Sequence, residues 1–229
     1  MTFKPCMSIL PAIQQRLWPD LAPTKRLGFV LYGGTAIALR CGHRQSIDFD
    51  FFSDEPLNRE SLLGSMPLLE KATVIQDQGQ AFTLLVNYVD DVDSNVKVSF
   101  FGALKMGRVG TPEITEDHVI QVASLDDLMA TKLKVILQRA EAKDYSDIDA
   151  MIENGISLSK GLSSARLIFG PNFQPSESLK ALGYFKDGDL HSLSKATKER
   201  LVRAVSAVKD LPQVALLSPK LHVTTQTNK

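Results

Sequence analysis

The chain has 229 residues, 44% of them hydrophobic and 23% charged, enough for one large domain or two small ones with a real core. Its formal net charge is zero, which excludes a whole-molecule basic surface that would bind nucleic acid by charge alone. Two cysteines without a CxxC spacing exclude a disulfide framework or a zinc site of that kind, and no apolar run is long enough to span a bilayer.

In chain order, the first stretch, MTFKPCMSILPAIQQRLW, has no continuous apolar h-region and no small-residue cleavage site, so a cytoplasmic protein without membrane association is expected. Residues 8–18 read as a short helix interrupted by Pro11. GFVLY, from Gly28 to Tyr32, is an apolar run of strand length that ends at Gly33-Gly34. TAIALR then opens a helix with Thr35 as its expected cap. SIDFDFF alternates, with Ile47, Phe49 and Phe51 on one face and Asp48, Asp50 and Phe52 on the other. A helix is predicted over Arg59–Lys71. Strands are predicted at TVIQ, AFTLLVNYV and NVKVSFF.

At Ser124 the pattern changes. Ser124 and Asp127 stand at capping-box spacing ahead of a long helical stretch, SLDDLMATKLKVILQRAEAKD, whose apolar face is Leu125, Leu128, Leu133, Ile136 and Leu137. Further helices are predicted around 145–153, 157–169, 176–183 and 195–209. The organisation expected is an α/β core over 1–122, a helical unit over 123–210 and a flexible tail over 211–229. Lys and Arg number 11 against 14 acids through Val122 and 15 against 12 beyond it, so the second half carries a small positive excess compatible with an anionic partner.

The chemistry lies between Gly33 and Phe52. Alternation puts Asp48 and Asp50 on one face of one strand, roughly 6–7 Å apart. Two carboxylates that close repel unless a cation sits between them, and Mg²⁺ suits hard oxygen ligands shared with phosphates. Gly33 and Gly34 let backbone approach a ligand closely, and the helix that follows offers free N–H groups to phosphate. Thirteen residues separate Gly34 from Asp48. Between them, Arg44 is a candidate phosphate contact and Ser46 a hydroxyl that orders backbone. Either feature alone is common on ordinary surfaces; their order describes a nucleoside-triphosphate site. At 100° per residue, Lys132, Ile136, Arg139, Lys143 and Asp147 fall on one helical stripe about 80° wide. On pattern alone that stripe reads equally well as a solvated face.

LYGGTAIALRCGHRQSIDFDFF, together with TKLKVILQRAEAKDYSDI, resembles the signature of the nucleotidyltransferase AbiEii/AbiGii toxin family, within the DNA polymerase β-like nucleotidyltransferase superfamily. The resemblance covers roughly residues 28–153. It implies an α+β (α/β) polymerase β-like core with a small mixed sheet and a C-terminal helical unit. It also implies Mg²⁺-dependent transfer of a nucleotide from a nucleoside triphosphate to RNA, tRNA in particular, by the toxin of a type IV toxin–antitoxin pair with a cognate antitoxin. Asp48 and Asp50 would hold the metal, and Gly33, Gly34 and Thr35, with Arg44 and Ser46, the nucleotide. Lys132, with Lys143, would face phosphate, and Arg139 would help hold phosphate or brace Asp48 and Asp50. Asp144 and Asp147 would fix the helix or take part in proton transfer, with bracing the more natural role for Asp144 and catalysis for Asp147.

One departure stands out. Polymerase β-like enzymes place a third carboxylate on a neighbouring strand. In NVKVSFF, alternation puts Lys97, Ser99 and Phe101 on one face, so Ser99 stands where an acid is expected, and a hydroxyl is a poor general base. Two alternatives follow: a weakened nucleotide-binding module acting through a partner, or a phosphotransferase that moves the γ-phosphate.

Overall fold

The computed structural model describes residues 1–87 and 95–223, so Tyr88 and Val89 of the predicted AFTLLVNYV strand and residues 224–229 of the predicted tail lie outside the described residues. The chain divides into two compact units. The first comprises residues 1–107 and 111–123, and is joined again by the chain from Ser218; the second comprises 108–110 and 124–217.

The first unit is built on a mixed sheet with eight strands among the described residues. They are β1 (Thr2–Phe3), β2 (Val30–Tyr32), β3 (Asp48–Phe52), β4 (Thr73–Gln78), β5 (Ala81–Asn87), β6 (Asn95–Phe101), β7 (Glu113–Thr115) and β8 (Gln121–Val122), in the order β1-β7-β8-β2-β3-β6-β5-β4. β3 lies inside the sheet, antiparallel to β2 and parallel to β6. Its period-2 pattern does what alternation demands: Phe49 and Phe51 are fully buried while Asp48, Asp50 and Phe52 stay partly exposed. Phe51 stacks on Phe100 with ring centroids 5.5 Å apart, and Phe29 meets Phe100 edge-on at 5.2 Å, so one sheet face is an aromatic core. The strand starts later than the alternation suggested. Ile47 is 61% exposed, and its carbonyl accepts from the Gln14 side chain rather than from the ladder.

Helix α1 (Ala12–Leu17) follows a 3₁₀ turn at Met7–Ile9, in keeping with the break at Pro11. Helix α2 (Gly33–Cys41) begins at the Gly-Gly pair itself. Thr35 is therefore inside the helix; the N-cap is Tyr32, which makes no side-chain cap. Arg40 of α2 donates to Glu113 at 2.7 Å and to the carbonyls of Val122 and Ala123, with its guanidinium 4.2 Å from the Phe3 ring centre, which ties α2 to β1, β7 and β8. The predicted 59–71 helix is α3 (Arg59–Ser65), followed by a 3₁₀ segment at Pro67–Lys71 because proline cannot continue the ladder.

The tail does not hang loose over 218–223. Leu221 is fully buried, its N–H donates to Asp54 Oδ1 at 2.8 Å, and Val223 exchanges hydrogen bonds with the Gln121 amide at 2.7 and 3.1 Å. The buried Leu221 side chain and these hydrogen bonds together hold the segment to the first unit.

The second unit is helical: α4 (Leu125–Val135), α5 (Ala142–Glu153), α6 (Leu158–Phe169), α7 (Pro175–Leu182) and α8 (Lys195–Ala207). Ser124, Ser157 and Ser194 cap α4, α6 and α8 by accepting from the N–H three residues on. α4 packs on α6 over Gly161, where a Cβ would run into the Met129 side chain. Arg200 forks onto Asp149 at 2.6 and 2.8 Å and ties α8 to α5.

The long helix expected over 124–144 is two helices. α4 ends at Val135 and α5 starts at Ala142, with Glu141 in an extended conformation as its N-cap. The single stripe from Lys132 to Asp147 is thereby overturned. No Pro or Gly breaks the chain there; tertiary partners do. Asp189 Oδ1 accepts from the Ala142 N–H at 2.6 Å and so satisfies the new helix start.

Candidate active site

In the first unit, the Gly-Gly bend and the acid strand meet directly. Tyr32 pairs with Asp50 across β2 and β3, so the chain leaving β2 turns into α2 beside the Asp50 carboxylate. Gly33 has φ +74°, and a Cβ there would lie 2.7 Å from Asp50 Oδ2. Both facts demand glycine: the left-handed backbone and the acid that fills the side-chain space.

Thr35 and Ser46 work between these elements. Both are buried; the Thr35 hydroxyl donates to Ser46 Oγ at 2.7 Å and lies within hydrogen-bond reach of the Asp48 carbonyl. Their side chains fasten the first turn of α2 to the start of β3. The backbone amides of Gly33, Gly34 and Thr35 belong to that first turn, the positive end of the helix dipole. Arg44 is half-buried and donates to the Gln45 carbonyl at 2.9 Å.

Asp48 and Asp50 share one face of β3. Opposite them on β6 the register gives Lys97 and Ser99: Asp48 pairs with Lys97 and Asp50 with Ser99. Ser99 is 3% exposed, so the position beside Asp50 holds a buried hydroxyl and no third strand acid. Lys97 Nζ lies 2.9 Å from Asp48 Oδ2, with side chains 40% and 37% exposed. Among the described residues no cluster of three or more His, Cys, Asp or Glu gathers to hold a metal. The donor set is two hard carboxylates on an open face, which suits an oxygen-seeking divalent ion that takes its remaining ligands from water and phosphate.

The second unit assembles the other set by a different geometry from the predicted stripe. Lys132 Nζ lies 2.5 Å from Asp144 Oδ1 and 2.7 Å from Asp147 Oδ2, and both aspartates are fully buried. Arg139 donates to both oxygens of Asp144, at 2.7 and 3.2 Å. Burial pushes the Asp144 carboxyl up, but its hydrogen bonds and charge pairing with Arg139 and Lys132 outweigh this and hold it below the usual carboxylate range. Lys143 pairs with Glu141 at 2.8 Å, at the entrance to α5. Lys132 and Asp147, about four turns apart on the expected single helix, thus meet as an ion pair between α4 and α5.

The residues that sequence reasoning passed over are Lys97 and Asp189. Lys97 was legible on the Ser99 face of its strand, but not its partner, because strand order is invisible in a period-2 pattern.

The first unit thus sets a Gly-Gly bend leading into a helix beside an acid pair on the adjoining strand, and the second unit carries its own lysine–aspartate cluster. A sequence model of the nucleotidyl transferase AbiEii toxin, type IV toxin–antitoxin system, matches residues 16–210, and the chain belongs to that family. The uncharacterized protein aq_aa25 of Aquifex aeolicus (strain VF5) is 30% identical over 162 residues, 69% of this chain and 74% of its own. The fold is shared with MenT4, a nucleotidyltransferase toxin of Mycobacterium tuberculosis H37Rv, with a TM-score of 0.59 at 16% identity over 87% of this chain and 82% of that one. No helix among the described residues is long and apolar enough to cross a membrane.

Proposed function

We propose that this nucleotidyltransferase takes the nucleotide from a Mg²⁺-bound nucleoside triphosphate and transfers it to RNA, with tRNA the foremost acceptor. The observation that carries the nucleotide site is the apposition of Gly33 and Asp50, which sets a side-chain-free bend against an acid pair. Asp48 and Asp50 hold the ion, and the first-turn amides of α2, from Gly33 to Thr35, receive phosphate with Arg44 beside them. A divalent ion bound there aligns the triphosphate and offsets charge that develops on the α-phosphate. Thr35 and Ser46 keep bend and strand in register. The RNA acceptor draws support from the positive excess beyond Val122 and from toxin-family membership, which also implies a cognate antitoxin. The family and its chemistry suit the cytoplasm, where nucleoside triphosphates and tRNA are found.

In the second unit, Lys132, Asp144 and Asp147 neutralise one another, with Arg139 closing the set. A nucleotide role for Lys132 or Lys143, or a catalytic one for Asp147, requires that phosphate compete with the carboxylates already in contact. Comparison of nucleotide affinity in Lys132→Arg and Lys132→Met tests it; equal affinities would reduce the cluster to architecture.

The direct assay incubates the protein with total RNA, MgCl₂ and each nucleoside triphosphate labelled at the α- or the γ-phosphate. Label from the α-position is expected on RNA, and chelation should abolish it. Transfer of γ-label instead would establish phosphotransfer. An Asp50→Asn variant as active as the parent would remove the site. Ser99 favours a second reading, nucleotide binding with turnover curtailed, because it leaves Asp50 without a strand-borne acid beside it. Tight binding of Mg²⁺ and nucleotide with no label on any RNA would support that reading.

A further inference from the structure

Lys97 has no part in the motifs that announced the site, yet its ammonium touches one of the site's acids. Its ammonium lies 2.9 Å from Asp48 Oδ2 because parallel pairing of β3 with β6 sets residues 48 and 97 side by side. The pair is open to water on both sides, 40% and 37% exposed, so it is held by charge and can exchange. Lys97 offsets the charge of Asp48, one of the two acids on which a divalent ion depends.

We propose that Lys97 is a positioning residue that guards Asp48 against metal until nucleotide arrives. Without nucleotide, an incoming ion meets an Asp48 that is already paired and must displace an ammonium. With nucleotide, the triphosphate offers that ammonium several anionic oxygens, so leaving Asp48 costs little and the lysine adds a contact to phosphate. Metal and triphosphate therefore load together. The inference rests on the metal-site reading above.

Mn²⁺ binding by electron paramagnetic resonance tests it, with and without a nucleoside triphosphate analogue that cannot be cleaved between the α- and β-phosphates. Lys97 is partly exposed on the sheet face, so Lys97→Met should fold, and Lys97→Arg keeps the charge. In Lys97→Met, Mn²⁺ alone should bind roughly 1.5- to fivefold more tightly than in the parent, the range expected of one exposed ion pair. With the analogue present the order should reverse, Lys97→Met holding Mn²⁺ more weakly. Lys97→Arg should follow the parent in both conditions. A Lys97→Met variant that matches the parent, or shifts the same way in both conditions, would overturn the proposal, as would Lys97→Arg behaving like Lys97→Met. The metal-site reading fails separately: it falls if Asp48→Asn and Asp50→Asn bind Mn²⁺ and analogue as the parent does.

Discussion

A methyl group on Gly33 would sit 2.7 Å from Oδ2 of Asp50. The most mobile residue type and a charged one thus fix each other's place, and the relation can be probed at either end. Gly33→Ala should lower nucleotide transfer about a hundredfold, since a displacement of an ångström at a reacting centre has that effect. Its stability should drop by only about 1–3 kcal/mol, the cost of a non-glycine residue at positive φ. Gly64→Ala is the control: Gly64 lies in α3 with open space around it, and this change should leave transfer intact. Assays of both variants at 25 °C, with melting curves, check the pair.

The Lys132 cluster should behave as a buried ionic lock. Lys132→Met leaves two fully buried carboxylates short of a cation and should cost about 3–5 kcal/mol in urea unfolding. Removal of one charge as well, in Lys132→Met/Asp147→Asn, should recover part of that loss. A single variant as stable as the parent would mean the cluster contributes nothing.

The same cluster predicts a pH dependence. The folded pKa of Asp144 lies below its unfolded value, near 3.9 for a free aspartate. Its stabilisation is thus fully present above the ordinary carboxylate range and is lost as pH falls through that range toward the folded pKa. Urea midpoints measured from pH 7 to pH 3 should fall more steeply for the parent than for Asp144→Asn, which should begin lower and change less.

Packing of α4 on α6 depends on Gly161. Gly161→Ala forces its methyl group into the Met129 side chain and should cost about 1–3 kcal/mol. Met129→Ala in the same chain should restore part of it, because the two changes share one space. Additive losses would show that the helices shift instead.

Leu221 should anchor the returning C-terminal segment. Leu221→Ala should lower stability by about 2–5 kcal/mol, the range for a buried leucine. An unchanged unfolding midpoint would show that 218–223 adds nothing to the first unit.

How much of this was legible depended on how local each cause was. Asp48 and Asp50 could be placed because Phe49 and Phe51 alternate with them, and burial follows alternation whatever the strand order. Ser124 and Asp127 could be read as a helix start because the cap lies within three residues; Ser124 Oγ and Asp127 Oδ2 are 2.6 Å apart. The gap between α4 and α5 could not, because Gln138, Arg139, Ala140 and Glu141 all favour helix and the group that caps Ala142 lies 47 positions away at Asp189. Thr35 looked like a cap from its type, but its hydroxyl is spent on Ser46 and on the Asp48 carbonyl. β1, β7 and β8 escaped notice because two or three residues are too few to show a period. Lys97 was placed on the correct face, but its meeting with Asp48 needed the pairing of β3 with β6.

The return of residues 218–223 to the sheet that the chain left at Ala123 bears on synthesis. Proteins emerge from the ribosome in order, and early segments fold first. Here the segment that seals Asp54 and Gln121 emerges after the whole helical unit. The sheet of the first unit is therefore completed only after the second unit has been made, so a ribosome stalled before residue 218 would hold a chain lacking that seal.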